Sequence, residues 1–219
     1  MPLRMRIWMI ILCALLAACQ SGLQPPTPDT FAADLERAKQ YIEKQNFPAA
    51  AALLETLTQT FPEDPTPWRL LAGLQDLDKH PEKAHATFTQ GLAEAPATSS
   101  GYADLALQSA LLCIRQPQLA CSSQRSLQTL ADSDPRRELV AAAEEVQAKN
   151  DLKALRRLIT LLKQQLPKGM ISDVYFLAAQ IYTRMGEPMY VNESLFHAVN
   201  FAQSPVLILR IEKLWKPKP

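Results

Sequence analysis

The chain has 219 residues, 47% of them apolar and 21% charged, with 23 basic side chains against 22 acidic for a formal net charge of +1. That composition excludes a disordered chain and one embedded throughout in a membrane, and the length suits one ordinary domain or a short repeat array. No run of Lys and Arg exceeds two residues, so no strip of positive potential points to nucleic acid as a partner.

The first element reads as an export signal. Arg4 and Arg6 precede an apolar run from Ile7 to Ala18, about twelve residues where spanning a bilayer core takes roughly twenty. The run ends in Leu16-Ala17-Ala18-Cys19 and gives way at once to Gln20-Ser21-Gly22. This stretch resembles the signal of bacterial lipoproteins, in which small residues ahead of an obligatory cysteine direct cleavage just before it. The resemblance implies removal of residues 1–18, a diacylglycerol on the Cys19 thiol and acylation, as by palmitate, of its new amine. One acyl chain, at about 0.8 kcal/mol per buried CH₂, holds marginally, and two or more hold firmly. Gln20 stands where an Asp would resemble an inner-membrane retention signal, so the expected place is the periplasmic face of the outer membrane. Residues 19–30, with Pro25, Pro26 and Pro28, read as an extended tether of about 3.1 Å per residue.

From Thr30 onward the periodicity is helical and prolines punctuate it. Leu35, Ala38, Tyr41 and Ile42 mark one amphipathic stripe, and Leu53, Leu54, Leu57 and Phe61 the next, with Gln45-Asn46-Phe47-Pro48 a turn between them. Ala38, Ala50, Leu54 and Pro62 recur as Ala72, Ala84, Phe88 and Pro96, a constant offset of 34 residues. Further along, Cys113 and Cys121 are the cysteines left after Cys19 in the exported chain, and an oxidising compartment makes them disulfide partners. Free buried thiols are the alternative. No metal site is expected, because His80, His85 and His197 show no ligand spacing to these cysteines.

The repeat resembles the tetratricopeptide (TPR) motif, a helix-turn-helix unit of the same length. Trp68, Leu71, Ala72, Ala84, Phe88, Gly91, Leu92 and Pro96 carry the likeness best, and Ala38, Ala72, Ala106, Ala143 and Ala179 fall in order at its small-residue position 8. It implies an all-α solenoid of about five units, at about 31–64, 65–98, 99–135, 136–171 and 172–205. Residues 206–219 then form a capping helix and tail. Pro135 comes 39 residues after Pro96, which places an enlarged turn, closed by Cys113 and Cys121, inside the third hairpin.

In that family the first helix of each unit lines a concave face that takes a peptide or partner helix. Carried over by position, the face comprises Lys39, Glu43, Arg69, Asp76, Leu107, Leu111, Glu144, Gln147, Phe176, Gln180 and Arg184. The basic carboxylate clamp of chaperone-binding members is not reproduced, since Leu35 and Lys39 occupy its positions in the first unit. No phosphate loop, zinc-binding His-Glu-x-x-His or serine elbow occurs in the sequence, so neither catalytic residues nor a cofactor are expected. The functional expectation is an adaptor or scaffold lipoprotein, bound to the membrane through its lipid and to another envelope protein or peptide. Alternatives are a structural subunit of a pilus, secretion or polysaccharide-export apparatus, marked by an exposed apolar stripe along Leu107, Leu111 and Phe176, and an enzyme, marked by a concave cluster of side chains with perturbed titration.

Overall fold

The computed structural model describes residues 28–119 and 121–215. The expected lipoprotein signal, Cys19 and the expected tether up to residue 27 lie outside them, as does the tail after Trp215. Among the described residues every α or 3-10 element is a helix: α1 (Pro28–Glu43), α2 (Phe47–Thr60), α3 (Pro65–Leu77), α4 (Pro81–Glu94), α5 (Tyr102–Arg115), a 3-10 turn (Pro117–Leu119), α6 (Ser123–Ser126), α7 (Pro135–Gln147), α8 (Asp151–Leu162), α9 (Lys168–Met185), α10 (Pro188–Phe201) and α11 (Pro205–Leu214). The helix thus begins at Pro28, inside the stretch expected to be tether.

Prolines open these helices because the first turn has no use for their missing N–H. Pro48, Pro65, Pro81, Pro135, Pro188 and Pro205 all sit there. Asp64 and Asp134, each directly before such a proline, accept hydrogen bonds of 2.8 Å from the amides of Thr66 and Arg136, satisfying donors the helix leaves open.

Consecutive helices pair as hairpins: α1 with α2, α3 with α4, α7 with α8 and α9 with α10. Their inner turns share one conformation. Gln45, Lys79, Lys149 and Gly186 have φ of 56°, 65°, 62° and 76°. In each turn two amides return to carbonyls of the ending helix, as Lys79 N does to Asp76 O and His80 N to Gln75 O, which is the Schellman termination. First helices then stack, α3 on α5, α5 on α7 and α7 on α9, so the hairpins form a solenoid. Ala38, Ala72, Ala106, Ala143 and Ala179 are all buried at these contacts. A close approach joins α3 and α4, where a Cβ on Gly91 would stand 2.6 Å from the Cβ of Trp68.

The third unit departs from the pattern. Its second helix is reduced to the four residues of α6, with turns running on to Asp134. Ser122, Ser123, Ser126, Thr129 and Ser133 favour local caps and turns over helix continuation, and Leu127 is the one fully buried anchor there. Arg137 holds the irregular stretch, donating to the carbonyls of Leu127 (2.9 Å), Leu130 (2.8 Å) and Ala131 (3.1 Å). Cys113 and Cys121 form a disulfide with Cα atoms 5.5 Å apart. It ties the end of α5 to the stretch between the 3-10 turn and α6 rather than closing a loop between two full helices.

The C-terminal helix does more than cap. Through Leu207, Ile211 and Trp215, α11 packs on Phe176, Ala179, Leu195 and Ala198 of the fifth unit. Through Val206 and Leu209 it joins the core of the first two units, among Ala38, Ile42, Leu70, Leu71 and Leu74. The solenoid is therefore closed across its inner side, with α11 bridging first and last hairpins.

Candidate functional site

The inner side is where a repeat scaffold would grip a ligand, and here the chain's own helix occupies it. Gly73 on α3 lets α11 approach, for an added Cβ would lie 3.2 Å from Val206 Cγ1. One turn further on, the Asp76 carboxylate accepts hydrogen bonds from Arg115 of α5 (2.9 Å) and Arg210 of α11 (2.6 Å), all three side chains largely buried. A single carboxylate thus joins three helices, and charge-assisted bonds of this kind are the stronger ones.

Beside this triad, Asp173 of α9 is buried and accepts a hydrogen bond of 3.0 Å from Gln108 Nε2. Burial pushes its carboxyl up to about 6, against the opposing pull of that hydrogen bond and of Arg115, Arg210 and Arg69. Arg210 is pushed down to about 10 by burial and by the neighbouring Arg115, with Asp76 and Asp173 acting the other way; it stays charged at neutral pH.

Two small cavities flank the cluster. One of about 70 Å³ is bounded by Arg69, Asp76, Leu107, Gln108, Asp173, Val206 and Arg210. The other, of about 40 Å³, is bounded by Leu111, Gln147, Phe176, Gln180, Leu207 and Arg210. Small-molecule sites occupy roughly 300–1,000 Å³, so these spaces suit a few waters. The perturbed cluster that would have favoured an enzyme is present, but its charged groups point at one another across helix contacts. Their chemistry is that of a polar latch on an inserted helix.

The residues expected on the concave face divide accordingly. Arg69, Asp76, Leu107, Leu111, Gln147, Phe176 and Gln180 converge on the inner side. Leu107, Leu111 and Phe176 are only 2%, 5% and 6% exposed, so neither a groove open to a partner nor the exposed stripe expected of a structural subunit exists at these positions. The reason is α11, whose destination periodicity alone does not reveal. Four others lie apart. Lys39 pairs with Glu36 at 3.3 Å and Arg184 with Asp151, while Glu43 is exposed. Glu144 accepts from Ser123 Oγ (2.6 Å) and Gln124 Nε2 (3.1 Å), bracing α6, while adjacent Glu145 turns to Asn150 and Lys153.

Arg115, Asp173 and Arg210 were not anticipated. A signal existed: Asp173 and Arg210 are lone charges within apolar helical runs, Met170 to Val174 and Val206 to Ile211. Folding also brings a ring nitrogen of His85 to within 4.8 Å of both the Cys113 and Cys121 sulfurs, a proximity their spacing in sequence does not indicate.

Most of the exposed large apolar side chains lie on the outer helices α8 and α10. On α8, Leu152 and Ile159 are 66% and 52% exposed, and on α10, Met189 and Phe196 are 67% and 54% exposed. Each α10 residue stands 37 positions after its α8 counterpart, as Pro188 does after Asp151 at the helix starts. Leu162, Met185 and Tyr190 add to the same units. Among the described residues no helix is long and apolar enough to cross a membrane.

No family model matches the chain, and no curated protein matches it. Among solved structures it is similar to YrrB, a TPR protein with an unusual peptide-binding site, at 16% identity over 82% of this chain and 90% of that chain, with a TM-score of 0.41.

Proposed function

We propose that the protein is a lipid-anchored helical-repeat adaptor of the cell envelope, moored through Cys19 at the periplasmic face of the outer membrane, that binds another envelope protein through the outer helices of its fourth and fifth units. The observation that carries this reading is the exposure of Leu152 and Ile159 on α8 and of Met189 and Phe196 at the corresponding positions of α10, set against an inner side already filled. Large apolar side chains standing out together on a folded chain mark interaction surfaces. Arg156 on α8 and Glu193 on α10 are both exposed, so the complementary surface is an apolar ridge edged with charges of both signs.

The test is photocrosslinking in intact cells from residues replacing Ile159, Phe196 or Leu107. The reading expects discrete protein adducts from positions 159 and 196 and none from 107. Adducts from 107 alone, or lipid adducts only, would contradict it.

A further inference from the structure

The Cys113–Cys121 bridge has a neighbour that an adaptor does not require. His85 on α4 of the second unit places a ring nitrogen within 4.8 Å of both sulfurs. Its Nδ1 is shielded from solvent and has no hydrogen-bond partner among the described residues. Buried polar atoms are nearly always paired, so an unpaired nitrogen on a ring that stands beside two sulfurs points to a ligand for that ring.

We propose that, once the bridge is reduced, His85, Cys113 and Cys121 bind one zinc(II) ion. Reduction transfers two electrons and two protons from a dithiol donor, which leaves as its own disulfide; the S–S bond breaks and both sulfurs become thiols. Zinc then takes two thiolates and one imidazole nitrogen, and the two thiol protons pass to water. A tetrahedral zinc, with Zn–S about 2.3 Å and Zn–N about 2.0 Å, holds such atoms about 3.6 to 3.8 Å apart. The three donors need only modest movement to reach that spacing. Cys113 is fixed on the last turn of α5, while Cys121 follows exposed Pro117 and Gln118, so the loop side gives way as the sulfurs separate. Two thiolates and an imidazole select zinc over magnesium or calcium, which take oxygen ligands. Cys121 and His85 are only part-buried, which leaves the fourth position open to solvent. Either closure, disulfide or metal, ties the turn of the third unit down; the metal would also bind it to α4.

The experiment uses the purified protein, reduced with a phosphine and freed of it under nitrogen, then titrated with cobalt(II) as a coloured stand-in and back-titrated with zinc(II). The expected result is one equivalent of cobalt with a thiolate charge-transfer band and the intense visible bands of a four-coordinate site, displaced by zinc. Oxidised protein binds none, and Cys113→Ser/Cys121→Ser loses the site. His85→Ala and His85→Gln bind at least tenfold more weakly, and because both keep the disulfide, circular dichroism of their oxidised forms checks that they fold. Absence of binding by the reduced protein, or equal affinity in both His85 variants, would overturn the assignment, as would uptake of copper(I) without zinc(II).

Discussion

Asp173 shows how one residue carries the tension of the closed interior. Its carboxyl, ordinarily near 3.8, is pushed up to about 6 in the fold because burial disfavours the charge. Between those values the folded protein holds a proton that the unfolded chain has released, so stability falls as pH rises through the window and the loss persists above it. At about 1.4 kcal/mol per pH unit, the ionised group weakens the fold at neutral pH by on the order of 3 kcal/mol. Asp173→Asn keeps an oxygen for the Gln108 amide and removes the charge. Its melting temperature should exceed that of the parent at pH 7.5, and the difference should shrink toward pH 4. A difference independent of pH would mean that Asp173 is not desolvated in the fold.

At the scale of the element, two contacts decide how the helices sit. Gly91→Ala would drive a methyl group into Trp68, separating α3 from α4 at about 1–3 kcal/mol, and Ala72→Leu should cost a similar amount at a fully buried site. Chemical denaturation reads both, and unchanged midpoints would show that the hairpins are packed in another register. Arg210→Ala leaves Asp76 with Arg115 alone and should cost about 1.5–3 kcal/mol, as for hydrogen bonds between charged groups. Hydrogen exchange should then quicken over residues 205–214 while α7 and α8 stay protected.

Much of this level was legible in the sequence, since the helix starts follow from prolines and caps and the five position-8 alanines follow from packing. The loss of the third unit's second helix was not, because residues 122–134 retain apolar Leu127 and Leu130 and their serines only tilt a balance settled by Arg137 from outside. Nor was the seat of α11, since an apolar run states that a helix will be buried and not against which surface. His85 met its cysteines through the stacking of units, over separations of 28 and 36 residues in sequence that no local spacing encodes.

For the whole molecule, closure changes what a repeat scaffold can offer. A solenoid gains its binding surface from curvature, and here α11 takes that surface, while the exposed apolar residues of α8 and α10 are the ones proposed to meet a partner. Anchorage completes the proposed arrangement: Cys19→Ala should move the protein from the membrane to the soluble fraction or leave it unprocessed, and unaltered fractionation would reject lipid attachment. The closure itself is tested most directly by Gly73→Cys/Val206→Cys. With a Cβ built on Gly73 3.7 Å from that of Val206, within the range of disulfides, the pair should bridge spontaneously and appear as a 73–206 crosslinked peptide beside the native 113–121 one. Both new thiols remaining free and alkylatable in the folded protein would contradict the account.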